Sequence, residues 1–230
     1  MNAPVEVNLE GFTPEQVVEW AFNRYGTQVA LASSFGAEDV LLIDVVQKVA
    51  PLVPVFTLDT GRLHPDTYTL IERLRERYGL VVQTYFPQAA AVEALVNERG
   101  HFSFYEGLER RKECCAIRKT EPLERALSGR QAWITGLRRE QSPTRDAVKM
   151  LERDAQHGGI AKLNPLAAWT EAQVWAAIRD RKLPYHRLFD QGYRSIGCAP
   201  CTRAVKPGEN ERAGRWWWED PAHKECGLHR

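Results

Sequence analysis

Five cysteines stand out in this 230-residue chain, and four of them form two pairs. Cys114 and Cys115 are adjacent, whereas Cys198 and Cys201 form a Cys-x-x-Cys motif. Two thiolate pairs supply the four ligands that a cubane iron–sulfur cluster or a structural zinc ion requires. Spacing alone does not separate these metals. It also leaves open that the adjacent pair is a buried apolar pair and that the other pair is a redox couple.

The adjacent pair falls in a segment with a helical pattern, which we predict to run from about residue 113 to 127 with an interruption near Pro122. Neighbouring side chains on a regular α-helix point about 100° apart. If Cys114 and Cys115 bind one metal centre together, the helix must therefore depart locally from regular geometry.

The fifth cysteine, Cys226, lies near the C-terminus with Lys224 and His229 on either side. A lone cysteine in such a position is usually incidental. Here, however, the flanking cations favour the thiolate, which is the nucleophilic form of cysteine, and Gly227 permits a close backbone approach. Cys226 is therefore a candidate nucleophile.

The elements that must position these residues alternate between short apolar runs and amphipathic segments. Capping boxes at Thr13 and Thr170 mark the starts of two helices. This alternation predicts an α/β fold: a parallel twisted sheet with helices on both faces. We predict strands at 29–33, 53–58, 80–86 and 132–135, and further helices at 38–50, 65–78 and 89–99.

Two regions are expected along the chain. Residues 1–201 read as a single α/β nucleotide- and cluster-binding domain. From Thr202 onward periodicity is weak, and Pro207, Gly208 and Gly214 interrupt it further. Residues 202–230 are therefore predicted to be a mobile C-terminal tail or lid that carries the candidate nucleophile.

Three glycine-containing loops follow predicted strands, at residues 33–39, 58–62 and 136–140. In an open parallel sheet, ligands bind beyond the carboxyl ends of the strands. A turn rich in serine and glycine at a helix N-terminus offers backbone N–H groups to an anion. Each loop alone is ordinary turn chemistry, but the three together indicate a nucleotide site.

Composition and charge limit the function classes. Lys and Arg total 31 and Asp and Glu total 30, so the net charge is +1 and provides no general field for nucleic acid or an anionic membrane. Residues 1–10 lack the apolar run of a signal peptide, and no stretch reaches the ~20 apolar residues of a membrane-spanning helix. We expect a cytoplasmic protein, in which cysteines stay reduced.

The loop sequences Ser-Ser-Phe-Gly-Ala-Glu-Asp, Leu-Asp-Thr-Gly-Arg and Gly-Leu-Arg-Arg-Glu-Gln-Ser resemble those of the sulfonucleotide reductases. These enzymes belong to the adenine-nucleotide α-hydrolase-like superfamily, which has a Rossmann-like fold. The first loop departs from the Ser-Gly-Gly-x-Asp-Ser form of the ATP pyrophosphatases in that superfamily, which argues against ATP splitting. Glu-Cys-Gly-Leu-His around Cys226 matches the catalytic motif of the reductases.

The resemblance implies one [4Fe–4S] cluster per chain, bound by Cys114, Cys115, Cys198 and Cys201, as in assimilatory adenylyl-sulfate reductases. Reductases of the 3′-phosphorylated substrate usually lack these four cysteines, so adenylyl sulfate is the expected substrate. The implied reaction yields sulfite and AMP through a Cys226 S-sulfonate, with thioredoxin or glutaredoxin as the reductant. It serves sulfate assimilation and cysteine biosynthesis.

The resemblance also assigns anion contacts to Lys119, Arg145, Arg212 and Arg215, and adenosine to the three loops. It assigns no role to the tryptophans at 216–218, for which core packing or self-association, and thus a homo-oligomer, is the simpler interpretation. The complete predicted substrate-binding set is Ser33, Ser34, Gly36, Leu58, Asp59, Gly61, Arg62, Lys119, Gly136, Arg138, Arg145, Arg212, Arg215 and His229.

Three alternatives remain open on the sequence. One is a reductase of 3′-phosphoadenylyl sulfate, or of both nucleotides. Another is a tRNA sulfur-transfer enzyme of the same superfamily, but such an enzyme would keep the ATP-type loop and a basic face for RNA. The third is a zinc-stapled nucleotide-binding module without redox chemistry.

Overall fold

The computed structural model describes residues 7–220 and Leu228, so Cys226 and His229 lie outside the described residues. The helices are α1 (Pro14–Tyr25), α2 (Ala37–Val49), α3 (Pro65–Tyr78), α4 (Ala89–Arg99), α5 (Leu108–Cys115), α6 (Glu121–Leu127) and α7 (Glu171–Asp180). The strands are β1 (Val29–Ala32), β2 (Val55–Leu58), β3 (Val82–Tyr85), β4 (Ala132–Ile134), β5 (Leu151–Asp154) and β6 (Ile160–Leu163).

Local sequence signals explain where several helices begin and end. The side chain of Thr13 accepts from the backbone N–H of Gln16, and the side chain of Gln16 accepts from the N–H of Thr13, which completes the predicted capping box of α1. Thr170 and Gln173 do the same for α7. These reciprocal bonds satisfy backbone donors that a helix N-terminus otherwise leaves unpaired.

The strands form a sheet in the order β3-β2-β1-β4-β6-β5. The pairs β2–β3, β1–β4 and β4–β6 are parallel, which confirms the predicted α/β class. The sequence analysis missed β5 and β6, which form an antiparallel hairpin with Leu151 opposite Leu163 and Asp154 opposite Ile160. Gly158 and Gly159, both with positive φ, make the turn between them.

The chain divides into two compact units. The first unit comprises the residues up to Ala32 together with Glu38–Pro54 and Gly129–Leu183. Its core includes β1 and α2; residues 40–46 of α2 are buried all round. A helix without an exposed polar face is typical of a protein interior.

The second unit comprises Ser33–Ala37, Val55–Ser128 and the residues from Pro184 onward. The segment at 202–220 is hydrogen-bonded within this unit. The backbone N–H of Arg203 donates to Gly214 (3.0 Å), and that of Trp216 donates to Cys201 (3.2 Å). No helix within the described part of the chain combines the length and apolar character that a membrane crossing requires.

Candidate functional site

All four paired cysteines line one small cavity in the second unit. Cys114 and Cys115 end α5, and Cys198 and Cys201 bracket a single 3₁₀ turn, in which the N–H of Cys201 donates to the carbonyl of Cys198 (2.9 Å). The structure thus brings together two motifs that are far apart in the sequence. The remaining lining residues are Arg62, Phe104, Arg111, Arg118 and Lys119.

A π-helical turn at Ala116–Thr120 follows the adjacent cysteines directly and leads into α6. Such turns widen the helix and occur mostly at functional sites. The turn begins directly after Cys115, and the two cysteines themselves end the α-helix α5. It also carries Arg118 and Lys119, both of which are buried.

Thr60 connects the 58–62 loop to the cysteines. Its hydroxyl oxygen accepts from the N–H of Arg62 (3.2 Å) and lies 3.3 Å from the sulfur of Cys198. Because the hydroxyl oxygen of Thr60 accepts a hydrogen bond from Arg62, the hydroxyl can donate its own proton to the sulfur of Cys198. The carbonyl of Thr60 accepts from the guanidinium of Arg118 (2.7 Å), so one residue orders both a cysteine and a cation.

The cations around the cavity affect the thiols unequally. Burial raises the pKa of Cys198, but Lys119, the hydroxyl of Thr60, Arg215 and Arg62 lower it, and the net result is a lowered pKa. Burial and the neighbouring Cys198 raise the pKa of Cys201 to about 12 despite Lys119. Metal binding requires thiolates, and the site favours that form at Cys198 more than at Cys114 or Cys201.

The four thiols fit the ligand set of a [4Fe–4S] cluster. Within residues 7–220 and Leu228, no three His, Cys, Asp or Glu side chains are close enough to share a single metal ion. A cluster does not demand that spacing, because each cysteine binds a different iron. One zinc ion, with Zn–S bonds of about 2.3 Å, would require the sulfurs to move closer together.

The tryptophan segment forms one wall of the cysteine region. Trp216 is buried in a cluster with Phe104, Cys198 and Cys201, and Trp218 packs against this cluster. The guanidinium groups of Arg111 and Arg215 each lie 4.6 Å from the centroid of a Trp216 ring. Trp216 has φ of 41°, a strained conformation for a residue with a large side chain. Core packing, one of the two interpretations offered by the sequence, is therefore found for Trp216.

Arg215 and Arg212, the two predicted tail arginines, belong to the same unit. Arg215 is buried, and its guanidinium donates to the carbonyl of Ile196 (3.3 Å). A Cβ atom at Gly197 would lie 2.3 Å from Arg215 Nη2, so the glycine before Cys198 is required for this packing. The N–H of Arg212 donates to the side chain of Asn210 (2.9 Å).

The loop at Ser33–Ala37 has an unusual backbone. Phe35 is buried and has φ of 60°, and its N–H donates to the hydroxyl of Ser33 (3.2 Å). Ser34 is exposed, and α2 begins immediately after Gly36, at Ala37. A strained turn before a helix N-terminus suits close approach by an anionic ligand.

In the 58–62 loop, the Asp59 carboxylate accepts one hydrogen bond from the loop itself and one from helix α3. One carboxylate oxygen accepts from the N–H of Gly61 (2.8 Å) and the other from the hydroxyl of Tyr68 (2.9 Å). Gly61 has φ of 68°, as a tight turn requires. Arg62 lies at the cysteine cavity, where its guanidinium donates to the carbonyl of His101 (2.6 Å). Leu58 is the last residue of β2.

The predicted residues Gly136, Arg138 and Arg145 belong to the first unit. A Cβ atom at Gly136 would lie 2.5 Å from Asp39 Oδ1, so the backbone passes tightly over the start of α2. Arg138 is fully buried and forms an ion pair with Glu38 (2.7 Å). Arg145 donates to the side chain of Gln141 (2.6 Å).

The sequence analysis missed three polar residues of the cysteine cavity and its surroundings, Thr60, Arg111 and Arg118, and also Phe104, which lines the cavity. Thr60 stands between the predicted residues Asp59 and Gly61, and Arg118 precedes Lys119, so proximity to predicted residues was the available signal for both. Arg111 lies one helical turn before the adjacent cysteines on α5. Charged residues on a helix usually face solvent, so the helical spacing between Arg111 and the cysteines was only a weak signal.

Comparison with known families and curated proteins gives a consistent result. Residues 28–204 match the phosphoadenosine phosphosulfate reductase domain family. The adenosine 5'-phosphosulfate reductase of Pseudomonas aeruginosa (strain LESB58) is 49% identical over 227 residues, covering 96% of this chain and 84% of the relative. The protein of the same name from Burkholderia cepacia is 52% identical over 202 residues, covering 88% and 80%.

Solved structures support the same fold. The phosphoadenylyl-sulfate reductase from Candida auris, in a phosphate complex, superposes with a TM-score of 0.75 at 28% identity, covering 89% of this chain and 99% of that one. The NH3-dependent NAD synthetase from Campylobacter jejuni has a TM-score of 0.53 at 12% identity, covering 80% and 76%. The second likeness concerns the fold alone.

Proposed function

Because the chain belongs to the phosphoadenosine phosphosulfate reductase family, we propose that it reduces adenylyl sulfate to sulfite and AMP. The observation that carries this proposal is the convergence of Cys114, Cys115, Cys198 and Cys201 on one cavity that Lys119 also lines. The relatives with 49% and 52% identity are named for reduction of adenosine 5'-phosphosulfate, which supports the unphosphorylated nucleotide as the substrate.

The four cysteines hold a [4Fe–4S] cluster in this proposal. Bound there, the cluster supplies a fixed local charge and need not change oxidation state, because thiols provide the electrons. Arg62, Arg118 and Lys119 line the same cavity and offset the negative charge of four thiolates. Lys119 is held beside this charge and directs its ammonium group toward the sulfate end of the nucleotide.

Cys226 acts as the nucleophile. Its thiolate attacks the sulfur of the sulfate group, the bond between that sulfur and the phosphate oxygen breaks, and AMP leaves with the bonding electron pair. A reduced thiol protein, thioredoxin or glutaredoxin, then attacks the sulfur of Cys226. Sulfite departs, and a second thiol of the reductant resolves the mixed disulfide, so that two thiols are oxidised in each turnover.

Basic side chains stabilise the charge that develops on the leaving phosphate, and we assign this role to Lys119, Arg145, Arg212 and Arg215. Adenosine contacts Ser33, Leu58 and Gly136 in this proposal. Five neighbouring residues complete the nucleotide site: Ser34, Gly36, Gly61, Arg62 and Arg138. His229 contacts the substrate after the C-terminal residues close over the nucleotide and exclude water. Protection of this segment from protease on addition of AMP tests the closure.

The decisive experiment is trapping without reductant. The purified protein is mixed with adenylyl sulfate in the absence of thioredoxin, and peptides are analysed by mass spectrometry. A sulfonate on Cys226 supports the proposal, whereas modification at another cysteine, or none, contradicts it. Cys226→Ser should abolish turnover and retain affinity for AMP.

A second measurement tests the metal centre. The anaerobically purified protein should be brown, should contain iron and should absorb broadly at about 400 nm. Iron analysis and the visible spectrum measure these properties. A colourless protein that contains zinc would support the nucleotide-binding module instead.

Reduction of 3′-phosphoadenylyl sulfate is the nearest competing function, since the Candida auris enzyme with the same fold is named for that nucleotide. Steady-state kinetics with both nucleotides separates a strict enzyme from a dual one. We place the reaction in the cytoplasm, where thioredoxin and the reduced cysteines are both maintained.

A further inference from the structure

A buried ion pair connects the helix of the adjacent cysteines to the end of the described chain. Arg111 lies on α5, and Glu219 lies near the end of the described residues. Arg111 Nε and Nη2 donate to Oε1 (2.9 Å) and Oε2 (2.8 Å) of Glu219, so the contact is bidentate. The two side chains are 1% and 6% exposed, which shields the pair from water and salt.

Arg111 also contacts the metal-binding region. It forms a side-chain hydrogen bond with Cys115, and its guanidinium packs over Trp216 at 4.6 Å. The N–H of Glu219 donates to the carbonyl of Trp216 (2.9 Å), which closes a turn between them. One guanidinium therefore fixes a cysteine, an indole ring and a carboxylate in a single arrangement.

Glu219 is a firmly held side chain on the N-terminal side of Cys226, the residue that carries the chemistry in the proposed function. Cys226 is seven positions after Glu219, a span of at most about 25 Å when fully extended. The position of Glu219 therefore limits the volume that the Cys226 thiol can explore, and hence its effective concentration at the bound sulfate.

We propose that Arg111 and Glu219 are positioning residues for Cys226: they tie the start of the C-terminal segment to the helix that supplies two of the four cysteines. The inference rests on the proposed function. The Arg111 side chain that bonds to Cys115 also holds the start of the segment that carries the nucleophile. The cysteine region therefore helps to position Cys226 in addition to binding the metal.

The alternative is a pair that only stabilises the fold. Buried ion pairs are often no more stabilising than apolar residues of the same size, but they specify one arrangement strongly. Glu219 lies 108 positions from Arg111, and the geometry is bidentate. A role in stability alone predicts loss of folded protein; a positioning role predicts slower attack by Cys226 in protein that is folded and loaded with iron.

The test uses the full-length, iron-loaded protein and measures single-turnover formation of the Cys226 S-sulfonate with saturating adenylyl sulfate. The variants are Glu219→Gln, Glu219→Asp, Arg111→Lys and the Arg111→Lys/Glu219→Gln double variant. Glu209→Gln is the matched control, because it removes the Arg203–Glu209 pair (3.0 Å) in the same terminal region. Iron content and the Kd for AMP are measured for each protein.

We expect S-sulfonate formation to slow about tenfold or more in each single variant, with iron content and AMP affinity as in the wild type. The double variant should be no slower than the slower single variant, since the two residues act as a unit. Glu209→Gln should react at the wild-type rate.

Wild-type rates in all Arg111 and Glu219 variants, or rates that fall only in proportion to lost iron, would overturn the inference. If Glu219→Gln fails to fold, Glu219→Asp decides, because it keeps the charge and shortens the reach. Absence of the S-sulfonate in the wild type refutes the proposed function itself, which is a different outcome from normal S-sulfonate formation in the variants.

Discussion

The hydroxyl oxygen of Thr60 lies 3.3 Å from the sulfur of Cys198, and both residues are buried. Thr60 belongs to the 58–62 loop, which was predicted to bind nucleotide, whereas Cys198 opens the Cys-x-x-Cys motif. The loop and the cysteine motif therefore share a direct contact within the second unit. Removing this hydrogen bond should therefore change the midpoint potential of the proposed metal centre.

Replacing Thr60 with Val removes the hydroxyl and keeps the shape. A hydrogen bond to a ligand sulfur stabilises the more negative, reduced state of a cluster. We expect the midpoint potential of the proposed cluster to fall by tens of millivolts, on the order of the energy of one hydrogen bond. A redox titration followed by electron paramagnetic resonance measures it. Thr60→Ser is the control and should retain the wild-type potential; a shift of equal size in both variants would assign the effect to packing.

Lys119 should contribute to attack on the sulfate more than to nucleotide binding. Its ammonium group is buried and lies 5.7 Å from the centroid of a Trp216 ring. For Lys119→Gln we expect kcat/KM for adenylyl sulfate to fall about 100-fold, because the charge directed toward the sulfate end of the nucleotide is lost as that group is attacked. The Kd for AMP, which lacks the sulfate, should change far less. Equal losses for both ligands would show that Lys119 serves binding alone.

Gly136→Ala should destabilise the first unit. The new methyl group would lie 2.5 Å from Asp39 Oδ1 and 2.9 Å from Glu38 Cβ, which forces the start of α2 to shift. We expect a loss of about 1–3 kcal/mol in the free energy of unfolding, measured in urea. Gly79→Asn is the matched control, because Gly79 is left-handed with open space around it and asparagine tolerates that conformation. A similar loss in both variants would contradict the steric explanation.

His186 should make the second unit less stable in acid. Burial lowers the pKa of His186 to about 4; Asp66 opposes the shift and His64 adds to it. Nδ1 accepts from the N–H of Leu188 (3.3 Å), and a proton on Nδ1 would break this bond. The unfolded chain, with a pKa near 6.5, therefore binds a proton at higher pH than the folded protein does.

Stability linked to His186 is accordingly complete above about pH 6.5 and is lost as the pH falls toward 4. We expect a loss of about 2 kcal/mol over this window, allowing for solvent screening. A nuclear magnetic resonance titration of the imidazole checks the pKa directly. In His186→Asn, unfolding free energies at pH 7 and pH 4.5 should differ less than in the wild type. An imidazole that titrates near 6.5 in the folded protein would refute this account.

Much of the fold follows from local signals. The helices at Pro65–Tyr78 and Ala89–Arg99 have the predicted bounds, because proline and glycine mark their limits, and the first of them also has an apolar face at helical spacing. The β5–β6 hairpin was missed because Leu151–Asp154 combines one apolar residue with three charged ones. Its pairing depends on tertiary context, although Gly158-Gly159 was a hairpin signal in the sequence.

The candidate site was predictable to the extent that its chemistry is specific to residue type. Cysteine pairs are typical of metal sites, and the structure brings all four paired cysteines into one cavity. Arginines carry no such information, because the same side chain serves ion pairs, stacking and substrates. Arg138, which is part of the proposed substrate site, also forms an ion pair with Glu38, and Arg111, which was not predicted, lines the cysteine cavity. Only the three-dimensional contacts distinguish these roles.

The π-helical turn at Ala116–Thr120 makes this stretch of chain sensitive to its length as well as its composition. Deleting one residue from the turn would restore a regular α-helix and redirect the side chains that the turn itself carries, including those of Arg118 and Lys119. Lys119 would then no longer point toward the cavity of Cys114 and Cys115, even though every side chain with a chemical role was still present. A one-residue deletion here should thus be more damaging than many substitutions.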